Sequence, residues 1–322
     1  MSEPAEILLA RHADRDRMRR ELRRGDVDLL RRGAYLVPHD GVDSDRRRLR
    51  THDGARDLAL LRMRAVNVQL RTPVFSHVSA AAWWGWRTWS VPERTHVTQA
   101  SRRAGTAATD IFRHFARLPE ADVVEREGLL VTTKERTLLD VARTEHPLAA
   151  LVVADAALAD GVDLKAVLGR AVALGPVRGC RRARCVVELA DGGAESAWET
   201  WLRYLALRVG LPRPVTQAPI STRLGTFRAD LAWPEYRVLA EFDGQVKYVD
   251  GALGAGYDAS QALFAEKRRT DAIVEATGIV PFRATARDSP DSTAARLLAR
   301  FPPTIRATAR PHPLLLHPRL AG

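Results

Sequence analysis

Two cysteines are all that the 322-residue chain holds, and nothing at its amino terminus has the apolar stretch of a secretory signal or a membrane span. The second absence removes membrane spanning and secretion from the expected roles. Cys180 and Cys185 have four residues between them and no second Cys or His pair nearby to complete four zinc ligands, so they read as small helix residues. A cytoplasmic protein with no membrane partner is the expectation.

What is present is enough apolar and charged material for a globular chain of two or three domains, 46% hydrophobic and 28% charged. The formal charge of +11 favours polyanionic partners, because each phosphate neutralised by Lys or Arg releases condensed counterions. Arg- and Ala-rich proteins serve every kind of function, so the placement of the charge carries more weight than its sum.

Residues 15–24, RDRMRRELRR, predict a short helix with Asp14 as N-cap, Met18 and Leu22 on one face and Gly25 as the stop. Arg15, Arg19, Arg20 and Arg23 spread over its solvent side. The apolar runs on either side of Arg32-Gly33 predict a β-hairpin, with Arg31 and Arg32 at its tip. Helix then wing is a layout used to bind DNA, and the alternative is a solvated charged face. Further on, Arg46 to Arg64 reads as a basic helix, and VFSHVSAAAWWGW as a buried helix ending at Gly85. LLVTTKERTLLDVART reads as strand into helix, with Thr132 and Glu135 as a capping box and Arg136 one turn from Asp140. Taken in order, RRGAYLVP, FSHVSAAA, THVT and TTKERTLLDVA resemble the AbiEi-type antitoxin family over residues 1 to about 185. The resemblance implies a winged-helix DNA-binding segment joined to an α/β domain, with a toxin as a candidate partner.

Asp191-Gly192-Gly193 marks a boundary before a strongly amphipathic helix over 194–209. Glu195, Glu199 and Arg203 fall on its polar side one turn apart, so Glu199 is either an ion-pair partner of Arg203 or a metal-related acid. TFRADLAWPEYRVLAEFDG predicts a hairpin turning at Pro234-Glu235-Tyr236-Arg237. Centring that turn between Glu235 and Tyr236 sets Asp230 opposite Glu241, with Asp243 on the same face. Three carboxylates on one face repel unless a cation compensates them. A divalent metal, Mg²⁺ or Mn²⁺, does this for Asp230, Glu241 and Asp243, and Arg228 is the alternative for Asp243. Lys247 could orient the attacking water or stabilise developing phosphate charge. In the helix that follows, Lys267 and Arg269 could meet DNA phosphates or join ordinary helix salt bridges.

A helix with Glu199, a hairpin with Asp230 and Glu-x-Asp-Gly, Lys247 and a closing helix resemble a PD-(D/E)XK nuclease domain, most similar to the very-short-patch-repair-endonuclease-like group. The resemblance implies that Asp230 and Glu241 are metal ligands, Asp243 a third acid and Glu199 the helix acid. Asp243 stands where the family has its lysine. The expected fold class is α/β (α+β): a winged-helix-like segment over 1–40, a middle α/β domain over 41–189, a restriction-endonuclease-like α/β/α domain over 190–300 and an extended Pro-rich tail over 301–322. The expected function is a DNA-binding, Mg²⁺-dependent endonuclease, with a non-catalytic antitoxin or transcriptional regulator as the alternative.

Overall fold

In the computed structural model residues 7–9, 15–37, 52–101, 108–244 and 259–318 are described. The chain divides into two compact units, Met1–Val141 and Ala142–Gly322. Among the described residues there are 11 α-helices and three sheets, an α/β chain of the α+β kind.

Unit 1 opens with β1 (Ile7–Leu9), α1 (Arg15–Arg24), β2 (Asp28–Arg31) and β3 (Ala34–Leu36), the strands forming a sheet of order β1-β3-β2. The helix and wing agree with the sequence reading, and Gly33 takes the positive φ of 79° that the hairpin turn requires. Met18 of α1 is buried, whereas Leu22 stays exposed. Leu9, Leu30, Ala34 and Leu36 close their cluster only with Ala65, Leu58 and Leu61 of α2 (His52–Gln69). The segment over 1–40 is therefore not a self-sufficient domain, because so few residues cannot bury a core of their own.

The opposite side of α2 supplies Met63 and Val66 to a second core with Phe75, Trp83, Val97, Ile111, Leu129 and Val131. Those residues come from β4 (Val74–Phe75), α3 (His77–Trp84), β5 (Thr95–Gln99), β6 (Ile111–Phe115) and β8 (Leu129–Thr132), and β7 (Val123–Arg126) completes the sheet. The sheet has order β6-β5-β4-β8-β7. Gly85 ends α3 in the left-handed region, φ 91°, as the sequence predicts. Helix α4 (Lys134–Thr144) starts one residue later than the Thr132 capping box implies, with Thr133 Oγ1 accepting from the Arg136 amide. Arg136 donates to both Asp140 and Asp122 at 2.8 Å, which makes it a structural clamp.

The boundary between the units falls inside α4, not at residue 190. Unit 2 therefore includes α5 (Pro147–Ala159), α6 (Leu164–Ala173) and α7 (Cys180–Leu189) as well as α8 (Ala197–Arg208). The physical reason is a buried ion pair: Arg203 of α8 donates to both oxygens of Asp155 on α5 at 2.7 Å. Thr200 Oγ1 and the Asp191 amide also donate to Asp155. Arg203 is thus buried and committed to Asp155, not lying on the polar side of α8 beside Glu199.

After α8 come β9 (Val215–Thr222), β10 (Gly225–Trp233), β11 (Val238–Phe242), α9 (Ala259–Thr277) and β12 (Phe282–Ala284). The sheet order is β12-β11-β10-β9, antiparallel except for β11 with β12. Trp198 and Trp201 of α8 pack on Phe242, while Arg269 of α9 reaches Glu241, the next residue along β11. Successive strand residues point to opposite faces, so α8 and α9 cover the two sides of the sheet. Two short helices follow, α10 (Pro290–Leu298) and α11 (Pro303–Thr308). The described part of the Pro-rich tail is docked, not free: Tyr204 Oη donates to the Leu316 carbonyl at 2.6 Å, and the His312 amide donates to that of Arg208 at 2.8 Å.

Candidate metal and nucleic-acid site

The hairpin of β10 and β11 turns through a 3-10 segment, Pro234–Tyr236, with Arg237 in the left-handed region. Its register pairs Leu231 with Ala240, Ala232 with Leu239 and Trp233 with Val238. The ladder ends one residue short of Asp230 and Glu241, the two carboxylates that the sequence reading sets opposite each other. Asp230 Oδ2 accepts the Phe242 amide at 2.8 Å, tying the carboxylate to the neighbouring strand. No Lys or Arg among the described residues lies within ion-pair distance of Asp230. Burial, with Glu199 and Glu241 nearby, pushes its carboxyl up to about 6.

Glu241 is 6% exposed and does have cationic partners. Arg269 Nη2 donates to its Oε1 at 2.8 Å, and Arg283, its cross-strand neighbour on β12, lies 3.7 Å from Oε2. Burial raises the Glu241 carboxyl and the two arginines pull it back. Asp243 lies 3.7 Å from the same Arg283. The compensation assigned to Arg228 thus comes from Arg283, while the Arg228 carbonyl accepts from Arg269. Glu266 and Thr270 of α9 complete the network by accepting from Arg283 at 2.5 and 2.7 Å.

Glu199 sits in the first turn of α8, where Ser196 Oγ caps its amide. Its Oε2 accepts from the Glu195 amide at 2.8 Å and from Gln217 Nε2 at 3.0 Å. Gln217 lies on β9 between the residues that pair with Ala229 and Leu231, hence beside Asp230. It holds a left-handed φ of 48°, unusual for a residue with a Cβ. Gln217, Glu266 and Arg283 are site residues that the sequence reading missed. Gln217 carried no local signal, whereas Arg283 follows an apolar run that marks a strand.

Asp230 and Glu241 offer hard oxygen donors, and Mg²⁺ commonly takes one or two protein carboxylates with waters completing its shell. Among the described residues no group of three His, Cys, Asp or Glu side chains is arranged to hold a metal. The expected triad of Asp230, Glu241 and Asp243 is thus not gathered as a metal site, since Glu241 and Asp243 are both drawn toward Arg283. Lys247 lies outside the described residues.

Of the arginines expected on DNA, Arg19, Arg20 and Arg23 are exposed on α1, and Arg32 is exposed at the wing tip. Arg19 lies only loosely against Asp16, at 3.8 Å. The Arg15 side chain lies outside the described residues. Arg31 is 9% exposed, bonded to Asp110 at 2.7 Å and to Gln69, and so has a structural place rather than a phosphate-facing one. Arg269 is likewise engaged by Glu241 and Glu266, whereas Lys267 is exposed.

No protein-family model matches the chain. Over 118 residues it is 38% identical to two proteins of Mycobacterium tuberculosis: uncharacterized protein MT2308 of strain CDC 1551 / Oshkosh and uncharacterized protein Rv2248 of strain ATCC 25618 / H37Rv. The match takes in 36% of this chain and 44% of each relative, so the chain spans less than half the length of the curated relatives it resembles.

Proposed function

We propose that unit 2 is a metal-dependent nuclease domain of the PD-(D/E)XK kind, using Mg²⁺ or Mn²⁺ on DNA, and that α1 and the wing of unit 1 hold the substrate. The carrying observation is that Asp230, buried and without an ion-pair partner among the described residues, follows directly on the paired hairpin ladder, accepts the Phe242 amide at 2.8 Å and lies close enough to Glu199 and Glu241 for their charges to raise its carboxyl. Carboxylates so placed are destabilising on their own and compatible with a shared cation. The order helix, three strands, helix, strand, with β12 parallel to β11, supports the reading, since it extends the helix, hairpin and closing helix on which the resemblance rests.

In this role Asp230 and Glu241 position the ion, Arg269 and Arg283 hold Glu241 in place, and Gln217 steadies Glu199 beside Asp230. A divalent ion bound there supplies Lewis acidity and a bound water of lowered pKa for phosphodiester hydrolysis. Lys247 is the candidate to orient that water. Exposed Arg19, Arg20, Arg23, Arg32 and Lys267 supply phosphate contacts.

The alternative, a non-catalytic antitoxin or transcriptional regulator with a toxin partner, is favoured by one observation: Arg269 and Arg283 already neutralise much of the charge on Glu241 and Asp243. Incubation of the protein with supercoiled, linear and single-stranded DNA in Mg²⁺, Mn²⁺ or EDTA separates the two. Metal-dependent cleavage, abolished by Glu241→Ala with DNA binding retained, is expected. Tight binding to a promoter site without cleavage of any DNA form would support the regulator. No helix among the described residues is long and apolar enough to cross a membrane.

A further inference from the structure

We infer that an arginine-rimmed hollow in unit 2, between the end of α6 and the start of α7, is a docking surface for the phosphodiester backbone of duplex DNA. The hollow measures about 470 Å³ and is lined by Arg178, Arg181 and Arg184 over an apolar floor that includes Val172, Pro176 and Val177. No Asp or Glu lines it. Val172 is 60% exposed and Val177 45%, so the floor is open to a ligand and not part of the core.

The charge at this place has no paired carboxylate, in contrast to that of several other arginines in the unit. Arg203, Arg223, Arg269, Arg283 and Arg296 each pair with a carboxylate. Arg178, Arg181 and Arg184 have none within ion-pair distance among the described residues. Burial disfavours the ionised form of adjacent Arg182, Glu145 partly offsets this, and Arg178 adds to it. Holding like charges together is unfavourable unless an anion shares them.

The hollow's form selects the kind of anion. Arg181 and Arg184 stand one turn apart on one face of α7, with Cβ atoms ~5–6 Å apart, a spacing suited to successive phosphates on a chain. The three arginines are exposed rim groups on flexible stems, and the hollow is open. A site for a single small anion instead encloses it with a few fixed donors. Open rims of arginine bind extended polyanions through counterion release, and the apolar floor can meet the sugar edge. This inference rests on DNA as the ligand proposed above, but not on its cleavage.

The test uses the whole chain with Arg178→Glu, Arg181→Glu and Arg184→Glu together, and fluorescence anisotropy of a labelled duplex in EDTA across a salt series. Each lost phosphate contact lowers the slope of log affinity against log salt by about 0.9, so a fall of about two to three and at least tenfold weaker binding at low salt are expected. A triple Arg→Lys variant should retain most of the affinity. Arg184→Gln alone should lower the slope by about one, which keeps the test decisive if the triple reversal misfolds. Unchanged affinity and slope in variants that melt like the wild type would overturn the inference. Competition by inorganic phosphate at constant ionic strength, lost in the triple variant, would overturn the assignment to DNA and indicate a small-anion site. A wild type that binds DNA with the full slope yet never cleaves it would defeat the nuclease reading and leave this surface intact.

Discussion

Asp230 and His96 show how single side chains set opposite pH responses in the two units. The Asp230 carboxyl is pushed up to about 6. Between about pH 4 and 6 the folded state keeps a proton that the unfolded chain has released, so stability falls as pH rises through that window and the full penalty persists above it. Asp230→Asn is expected to stabilise unit 2 by ~1–2 kcal/mol at pH 7.5 and to flatten its melting temperature between pH 4 and 6. Mg²⁺ should raise the melting temperature of the wild type at pH 7.5 and not that of the variant; an equal rise in both would remove Asp230 from the metal site. In unit 1, burial is the main cause that lowers His96 to about 3 and His114 to about 4. Their rings are linked by a 3.0 Å hydrogen bond, and His77 stacks on His114. Both stay neutral when folded while the unfolded chain protonates near pH 6.5. Stability is therefore complete above that pH and declines on acidification through about 4, by a total on the order of 2 kcal/mol after allowance for partial exposure. Melting of His114→Phe between pH 7 and 4.5 should show a shallower decline than the wild type.

At the scale of elements, what was legible in the sequence was what local chemistry dictates. Helix α1 has its expected bounds, with Gly25 as its stop at a φ of 82°, while the expected cap Asp14 lies outside the described residues. The hairpin was legible because Pro234 fixes the turn, and the turn fixes the register of Leu231 against Ala240 that leads up to Asp230 and Glu241. Partners set by tertiary packing were not. Asp155 lies 48 positions before Arg203, and no pattern near Arg203 distinguishes a buried guanidinium from one facing Glu199. Arg31 reads like its neighbour Arg32, yet a bulge between Leu29 and Arg31 turns it inward toward Asp110. Two consequences follow for unit 1. Reversal of Arg19, Arg20 and Arg23 to Glu should weaken duplex binding and reduce its salt slope by two to three without altering the melting temperature. Arg31→Ala should instead lower stability by ~1–3 kcal/mol, because it leaves Asp110 and Gln69 without their partner. A variant of Arg31 that melts normally but fails to bind DNA would return that residue to the interface.

For the whole molecule, the boundary within α4 has a direct consequence for fragments. A fragment over 142–322 keeps the Asp155–Arg203 pair and is expected to unfold in one cooperative transition. A fragment over 190–322 strands Arg203 in an apolar interior, where removing one partner of a buried ion pair costs ~3–5 kcal/mol, enough to prevent folding of a unit this size. Circular dichroism and calorimetry of the two fragments decide this, and a folded 190–322 fragment would return the boundary to residue 190. The docked tail bears on how the chain is made. Phe301 packs edge-on against Trp233, and Leu315 is buried. At Gly210, where α8 ends, a side chain would collide with the Arg310 carbonyl. Unit 2 thus needs residues beyond 310 to close its core. On the ribosome, unit 1 can fold while synthesis continues, but unit 2 must wait until residue 316 has left the exit tunnel. The part of unit 2 that carries Asp230 and Glu241 is therefore completed only after the residues around 316 have emerged, when α1 has already had time to form.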